Sequence, residues 1–552
     1  MNTKEKLSKA IQLFNDKSYN DSIEIFKRLL SEIPDDPTFL TYFSLNHIFL
    51  SNFNMAARYL LKLIAMNKSR IENYINLGYC YQMLQDYDKA EITYIDALKI
   101  DSKNEQIFLN LGSMLRNIQK YSEAEEIYNK AISNGVTSHK IYASLSSVLL
   151  DSKKIAQAIE TAKKAIRLND GDTVALNNIA SAYIETKENE IAKVYLDKAL
   201  DVDPNNSMTY LNLGVLNKNL NEETKSLEYL DKCISINPHL HDAYLFKSII
   251  QLSNNNFMEG WNNYEYRWFK QKKRIVTSKP PWDGSDNGNK LLLWGEQGLG
   301  EQILFASILP DLKRSFNQIS LVVDRKLKLI FKESFPEHNV FTNDDNWNQA
   351  DFDCHLPIAS LGKYFRKSIE DFSKQKAFLK STNELSNNHK IRCGISWRSV
   401  NSVEGESKSI QLSKLKTIIQ DPLLDCFSVQ YTDETDEINL FNEKNNVNFQ
   451  KIKNLDAFND LHSLSKYLKS FDFLLTISNT TAHLAASLGV PTLLMLPKNI
   501  GKLWYWSNEV NSQSLWYPSV KIFRQKIDND WDSIIPDIKD YIKENFTFKK
   551  IS

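Results

Sequence analysis

The segment NLGYCYQMLQDYDKAEITYIDALKIDSKN, Asn76 to Asn104, decides the first half of the fold. Its small residues Gly78 and Ala90 both recur at a step of 34. From Ala10 that step gives Ser44, Gly78, Gly112, Ser146, Ala180, Gly214 and Ser248; from Ser22 it gives Ala56, Ala90, Ala124, Ala158, Ala192, Ser226 and Gly260. A third row runs Ala97, Ala131, Ala165, Ala199 and Cys233, after the larger Leu29 and Leu63. No insertion breaks the period. Small residues at fixed phases mark where two antiparallel helices close on each other, because only there can no side chain separate their backbones. Ile92, Tyr94, Ile95 and Leu98 supply apolar residues at helical spacing. Pro34, Pro204 and Pro238 fall at one phase, where a helix must stop.

The quoted segment resembles the tetratricopeptide consensus. That resemblance implies an α-solenoid of about eight helical hairpins over residues 1–270, each leaning on its neighbours, whose role is to hold a protein or peptide partner. The final unit ends in GWNNYEYRWF, Gly260 to Phe269, whose aromatics are suited to seal the last edge against the second half of the chain. A row of asparagines, Asn76, Asn110, Asn178 and Asn212, with Ser144 in the gap, lies two positions before the small residues. An inward asparagine offers a donor and an acceptor to an extended backbone. The O-linked N-acetylglucosamine transferases, similar in layout, line their repeats with such a ladder. The competing reading is solvated repeat consensus.

Composition narrows the function classes. The 552 residues exceed one core, and 68 Lys plus Arg against 68 Asp plus Glu leave no net field drawing the chain to nucleic acid. Five scattered cysteines, with no CxxC, argue for a reducing compartment and against a disulfide framework or zinc site. No run is apolar enough for a signal peptide or an integral membrane segment, so a cytoplasmic protein is expected.

Beyond KQKKR (Lys270 to Arg274) and PPWDGSDNGN the period vanishes, and 271–289 reads as a linker. Strand-length apolar runs then alternate with helical segments. Lys290–Trp294, Ile319–Asp324 and Asp351–Pro357 form one set; Arg392–Trp397, Cys426–Gln430, Phe473–Ile477 and Pro491–Leu496 form another, after the polar STNELSNNH from Ser381. This alternation predicts parallel sheets covered by helices, in lobes 290–385 and 386–552, with ligands beyond the carboxyl ends of the strands.

Two segments carry the candidate chemistry. LLLWGEQGLGEQILFASILPDL, Leu291 to Leu312, is a strand, a turn with Gly295, Gly298 and Gly300, and a helix. Its glycines allow close backbone approach to a ligand, although the same pattern serves a tight turn. FLLTISNTTAHLAASLGVPTLLMLP, Phe473 to Pro497, ends a buried strand at Ser478-Asn479 and starts a helix at Thr480. Its first-turn amides and the hydroxyls of Thr480 and Thr481 suit a diphosphate, with His483 beside them.

Together with CGISWRS, KSIQL, SVQY and WYPSVKIFRQ, these segments resemble the heptosyltransferase-like glycosyltransferases of two-lobed, α/β GT-B fold. That resemblance implies a glycosyltransferase taking a nucleotide sugar as co-substrate, with no metal or other cofactor. Gly298, Gly300, Lys408, Gln430, Asn479, Thr480, Thr481 and His483 would then bind the nucleotide sugar. Glu301, with His483, would be catalytic, and Asn76, Asn110, Asn178 and Asn212 would bind the acceptor. Two positions depart from the family: Glu301 replaces its proposed base, an Asp, and Ser478 replaces another Asp. Both favour the alternative, a non-catalytic repeat scaffold with a degenerate transferase domain. Asp351-Phe352-Asp353, with both carboxylates expected on one strand face, reads as structural; His239 and His241 lack further metal ligands.

Overall fold

The computed structural model describes residues 2–269, 275–285, 290–314, 316–382, 390–400, 405–499 and 503–546. Sixteen α-helices occupy Thr3 to Tyr264, in pairs of about one helix per half-period. Asn2, Asp36, Asp86, Asn104, Ser138 and Asp172 cap helix starts by accepting backbone N–H groups. Between the two helices of each pair stands one left-handed residue: Lys17, Ser51, Gln85, Gln119, Lys153, Lys187, Asn221 and Asn255, with φ from 59° to 68°. They share the step of 34, yet none is glycine. Each ends the first helix of its pair in a local cap: the left-handed residue's N–H and the next one reach back to carbonyls of the last turn, as Lys17 N to Phe14 O and Ser18 N to Leu13 O do at 3.0 and 2.8 Å.

The small rows are buried, but for a reason the sequence does not show. A Cβ on Gly78 would lie 2.5 Å from the Tyr94 ring, and one on Gly112 would strike Tyr128. The space is filled by the tyrosine of the following helix, not by its backbone. Tyr94 and Leu98 are buried, whereas Ile92 and Ile95 face out at 60% and 38% exposure, so half of that apolar set lies outside the core.

The chain divides into two compact units, 1–216 and 217–552. The repeat period by itself puts the boundary near 270, where it stops. The last helices, Glu223–Ile236, His241–Ser253 and Phe257–Tyr264, instead belong to the second unit, because Leu252, Phe257, Trp261 and Tyr264 share one core with Leu291, Phe305, Trp504 and Trp516.

The second unit contains two sheets. Strands β1 (Lys290–Trp294), β2 (Gln318–Val322), β3 (Asn339–Phe341) and β4 (Cys354–Pro357) pair in parallel in the order β3-β2-β1-β4. The other sheet is built from β5 (Ile391–Ser396), β6 (Leu424–Ser428), β7 (Gln450–Lys451), β8 (Phe473–Ile477), β9 (Thr492–Leu496), β10 (Glu509–Val510), β11 (Gln513–Ser514) and β12 (Val520–Arg524). Their order is β10-β11-β12-β9-β8-β5-β6-β7, parallel except at the β10–β11 and β11–β12 edge. All residues of β8 and β9 are buried, as strands covered on both faces require.

Two expectations change. Asp351 ends a 3-10 turn rather than lying on a strand, and Asp353 accepts the Lys290 N–H at 2.9 Å, so their carboxylates share no strand face. The supposed linker 271–289 is docked where it is described: Trp282 is 5% exposed, its ring lies 4.6 Å from that of Tyr364, and its backbone N–H donates to His355 O at 2.8 Å. Lys270 to Arg274 and most of the Ser381 linker lie outside the described residues.

Candidate functional site

The strand orders reverse direction beside β1 and beside β5, and α/β folds bind ligands beyond the carboxyl ends of strands at such points. The loop after β1 leads through Gly298 into the helix Leu299–Ala306; the loop after β8 leads through Asn479 into the helix Thr480–Ser487. These two helices pack together: a Cβ on Gly300 would lie 2.7 Å from Cδ2 of His483. Gly300 is therefore small to admit an imidazole of the same protein. Gly295 likewise makes room for Gln302, whose Oε1 accepts the Asp324 N–H at 3.0 Å and whose Nε2 donates to Gln297 O at 2.9 Å. Gly298 is exposed, and only the Glu301 carboxylate lies near its missing Cβ.

His483 is 2% exposed. Its Nδ1 pairs with Tyr517 Oη at 2.9 Å, and the rings of Tyr505 and Trp506 pack on it at 5.2 and 4.8 Å. Burial holds its pKa well below the ordinary value, at about 3, and the Lys408 charge acts the same way, so the ring is neutral. Lys408 closes the short helix Gly405–Lys408 and is 4% exposed. It also influences Glu301: burial pushes that half-buried carboxyl up, while the Gly298 amide and the Lys408 charge oppose the shift. Glu301, Lys408 and His483 thus converge from three separated segments.

Several other predicted ligands are already engaged. Gln430 Oε1 accepts from Ser396 Oγ, Trp397 N and Arg398 N at 3.0–3.1 Å, and its Nε2 donates to Arg398 O and Thr432 Oγ1. Asn479 caps its helix by accepting the Ala482 N–H at 3.0 Å, and donates to Ser396 Oγ at 2.8 Å. Ser478 Oγ accepts the Trp506 indole N–H at 3.0 Å. Thr481 is buried and Thr480 half-buried. Sequence reasoning missed Tyr517 and Trp506 as partners; Tyr517 lies within WYPSVKIFRQ, without a signal of its contact. It also missed Arg398, whose guanidinium pairs with Glu434 at 2.9 Å and Glu437 at 3.1 Å. Among the described residues no cluster of His, Cys, Asp and Glu could hold a metal.

In the repeats, the asparagine row is partly spoken for. Asn178 Nδ2 donates to Ala143 O, Ser146 Oγ and Ser147 Oγ at 2.7–3.0 Å. Asn212 Nδ2 donates to Asn177 Oδ1 at 2.9 Å, and its Oδ1 accepts from Ser181. These bonds join one repeat to the next. Asn110 accepts from Gln106 at 2.7 Å along its own helix, and Asn76 is half-buried.

Fold and site define a repeat protein: a tetratricopeptide array followed by an α/β region with two largely parallel sheets. Residues 71–104, 105–134, 139–172, 174–206 and 209–240 match the tetratricopeptide repeat family, which makes protein–protein interaction part of the chain's role. Protein FlbA of Caulobacter vibrioides is 25% identical over 311 residues, covering 50% of this chain and 51% of FlbA. The chain thus spans about half the length of the curated relative it matches. Pseudomonas aeruginosa PilF is 22% identical, covering 38% of this chain and 96% of its own, with a TM-score of 0.32. A tetratricopeptide repeat protein of Parabacteroides merdae is 14% identical, covering 45% and 98%, with a TM-score of 0.40. Among the described residues, no helix is long and apolar enough to cross a membrane.

Proposed function

We propose that the second unit is a GT-B-like glycosyltransferase domain that binds a nucleotide sugar beyond β1, β5 and β8, and that the repeats select its protein acceptor. The observation that carries this reading is the convergence of Glu301, Lys408 and His483. Glu301 takes the proton of the acceptor nucleophile as that atom bonds to the sugar's anomeric carbon, and the nucleoside diphosphate leaves. A carboxyl raised toward the working pH suits such a base. Lys408 and the first-turn amides of Thr480–Ser487 take up the charge that grows on the diphosphate. With Tyr517 donating to Nδ1, His483 presents Nε2–H as a neutral donor. A second reading, a scaffold with a relic site, is favoured by the internal bonds of Ser478, Asn479 and Gln430.

Thermal shift of the full chain against a panel of nucleotide sugars tests binding, since a native-state ligand must raise the midpoint. Lys408→Ala should weaken that binding by about 1.5–3 kcal/mol, the size of a lost charge-assisted hydrogen bond. Glu301→Gln should spare binding and lower turnover about 10²–10⁴-fold. Binding that depends on Lys408 without turnover on any sugar selects the scaffold. Absence of any binding rejects the glycosyltransferase.

A further inference from the structure

The helix Phe257–Tyr264 runs directly into the turn Glu265–Phe269, which closes the repeat helices. Arg267 in that turn has a side chain only 3% exposed. Its Nη2 donates to Glu296 Oε1 at 3.0 Å and to Ser360 Oγ at 2.8 Å. Its Nη1 donates to Glu265 Oε1 at 2.7 Å and to Tyr264 O at 3.2 Å. The rings of Tyr264 and Trp268 lie 4.6 and 4.4 Å from the guanidinium carbon.

Glu296 belongs to the loop after β1, and its side chain is fully buried. The next residue, Gln297, donates to Tyr264 Oη at 3.3 Å. The one after it, Gly298, offers its amide to Glu301. Two adjacent loop residues are therefore tied to the closing turn and to the helix end it continues, immediately before the loop meets the candidate base. A buried carboxylate holds its place only beside its counter-ion, so the Arg267 fork sets where this loop can lie. Trp261, one turn earlier, anchors the arrangement by donating to Arg366 O at 2.7 Å against Gly362.

We propose that Arg267 is a positioning residue for Glu301: the closing turn of the repeats holds the Glu296–Gln297 segment and, through it, the loop bearing the base. This rests on the glycosyltransferase reading for the role of Glu301, but its geometric half can be read without it. Hydrogen exchange and steady-state kinetics on the full chain test both, with Arg267→Met, Arg267→Lys and the doubly neutral Arg267→Met/Glu296→Gln. Arg267→Met should speed amide exchange across 296–301 by about tenfold or more and leave β8 and the helix Ile71–Met83 unchanged. Turnover should fall about tenfold or more while KM for the nucleotide sugar stays within about threefold, with Arg267→Lys between the two. Should Arg267→Met not fold, the double variant restores charge balance and must show the same loosened loop, since the fork is still missing. Unchanged exchange at 296–301 in whichever variant folds, or KM and turnover lost together, overturns the inference. A loosened loop in a chain whose wild type binds no nucleotide sugar supports the tie between turn and loop and overturns the glycosyltransferase reading instead.

Discussion

Replacing Gly300 by Ala adds one methyl where the structure has no room for it. Its Cβ would sit 2.7 Å from Cδ2 and 3.1 Å from Nε2 of His483. That ring cannot swing aside, because Tyr517, Tyr505 and Trp506 enclose it. Overpacking of this kind costs about 1–3 kcal/mol, and disturbing the Nδ1–Tyr517 bond adds about 0.5–1.5 kcal/mol. Ala returns about 1 kcal/mol of helix propensity, so the net loss is about 1–3 kcal/mol. Gly298→Ala is the control: φ is −61°, an ordinary value, and only one carboxylate oxygen, at the far end of the Glu301 side chain, lies near. It should change stability by less than about 1 kcal/mol. Tryptophan fluorescence in a denaturant titration is the assay, because all ten tryptophans lie between Trp261 and Trp531 and report the second unit alone. Equal midpoints for Gly300→Ala and wild type would refute the packing argument, and equal losses in both variants would refute the distinction between the two glycines.

Three further outcomes are expected. His483 has a folded pKa of about 3 against an ordinary 6.5, so the unfolded chain takes up its proton first. Its contribution is complete above pH 6.5 and declines as pH falls toward 3, by about 1.4 kcal/mol per pH unit. Wild type should thus lose stability between pH 7 and 5 relative to His483→Gln, in which that titration is absent; parallel pH curves would contradict it. Asn212→Ala strands Asn177 and Ser181, and should lower the helical transition seen by circular dichroism by about 1–3 kcal/mol, whereas Asn76→Ala should cost less than about 1 kcal/mol. Asn76 and Asn110 are consequently the cleaner positions for testing peptide capture. A fragment of residues 217–552 should show the fluorescence of the folded second unit, and one starting at 290 should not, because it lacks Leu252, Phe257, Trp261 and Tyr264 from the shared core.

Most of the repeat array was legible because its information is local and repeated. A helix pair is specified by small residues, apolar spacing and stop signals within one period, and the next period states it again. Strands β1 and β8 were legible for a similar reason: KLLLW and FLLTI are each apolar at all but one position, and their expected bounds match the observed ones. The short β3, β7, β10 and β11 were not, since two or three residues carry no periodicity, and neither was β12, whose VKIFR interleaves charged residues with apolar ones.

What only the tertiary structure decided is which groups meet. Gly300 and His483 are far apart in sequence, and nothing in either segment states that one is small for the other's ring. The same holds for Tyr94 in the space of Gly78, for Asn178 turned toward Ser146 and Ser147, and for Arg267 against Glu296. The domain boundary moved for this reason too. A period ends where its pattern ends, near 270, but the compact units divide at 216, because the last three helices share their core with the sheets. Spacing along a chain reports the face on which a residue lies; only the folded chain brings its partner to that face.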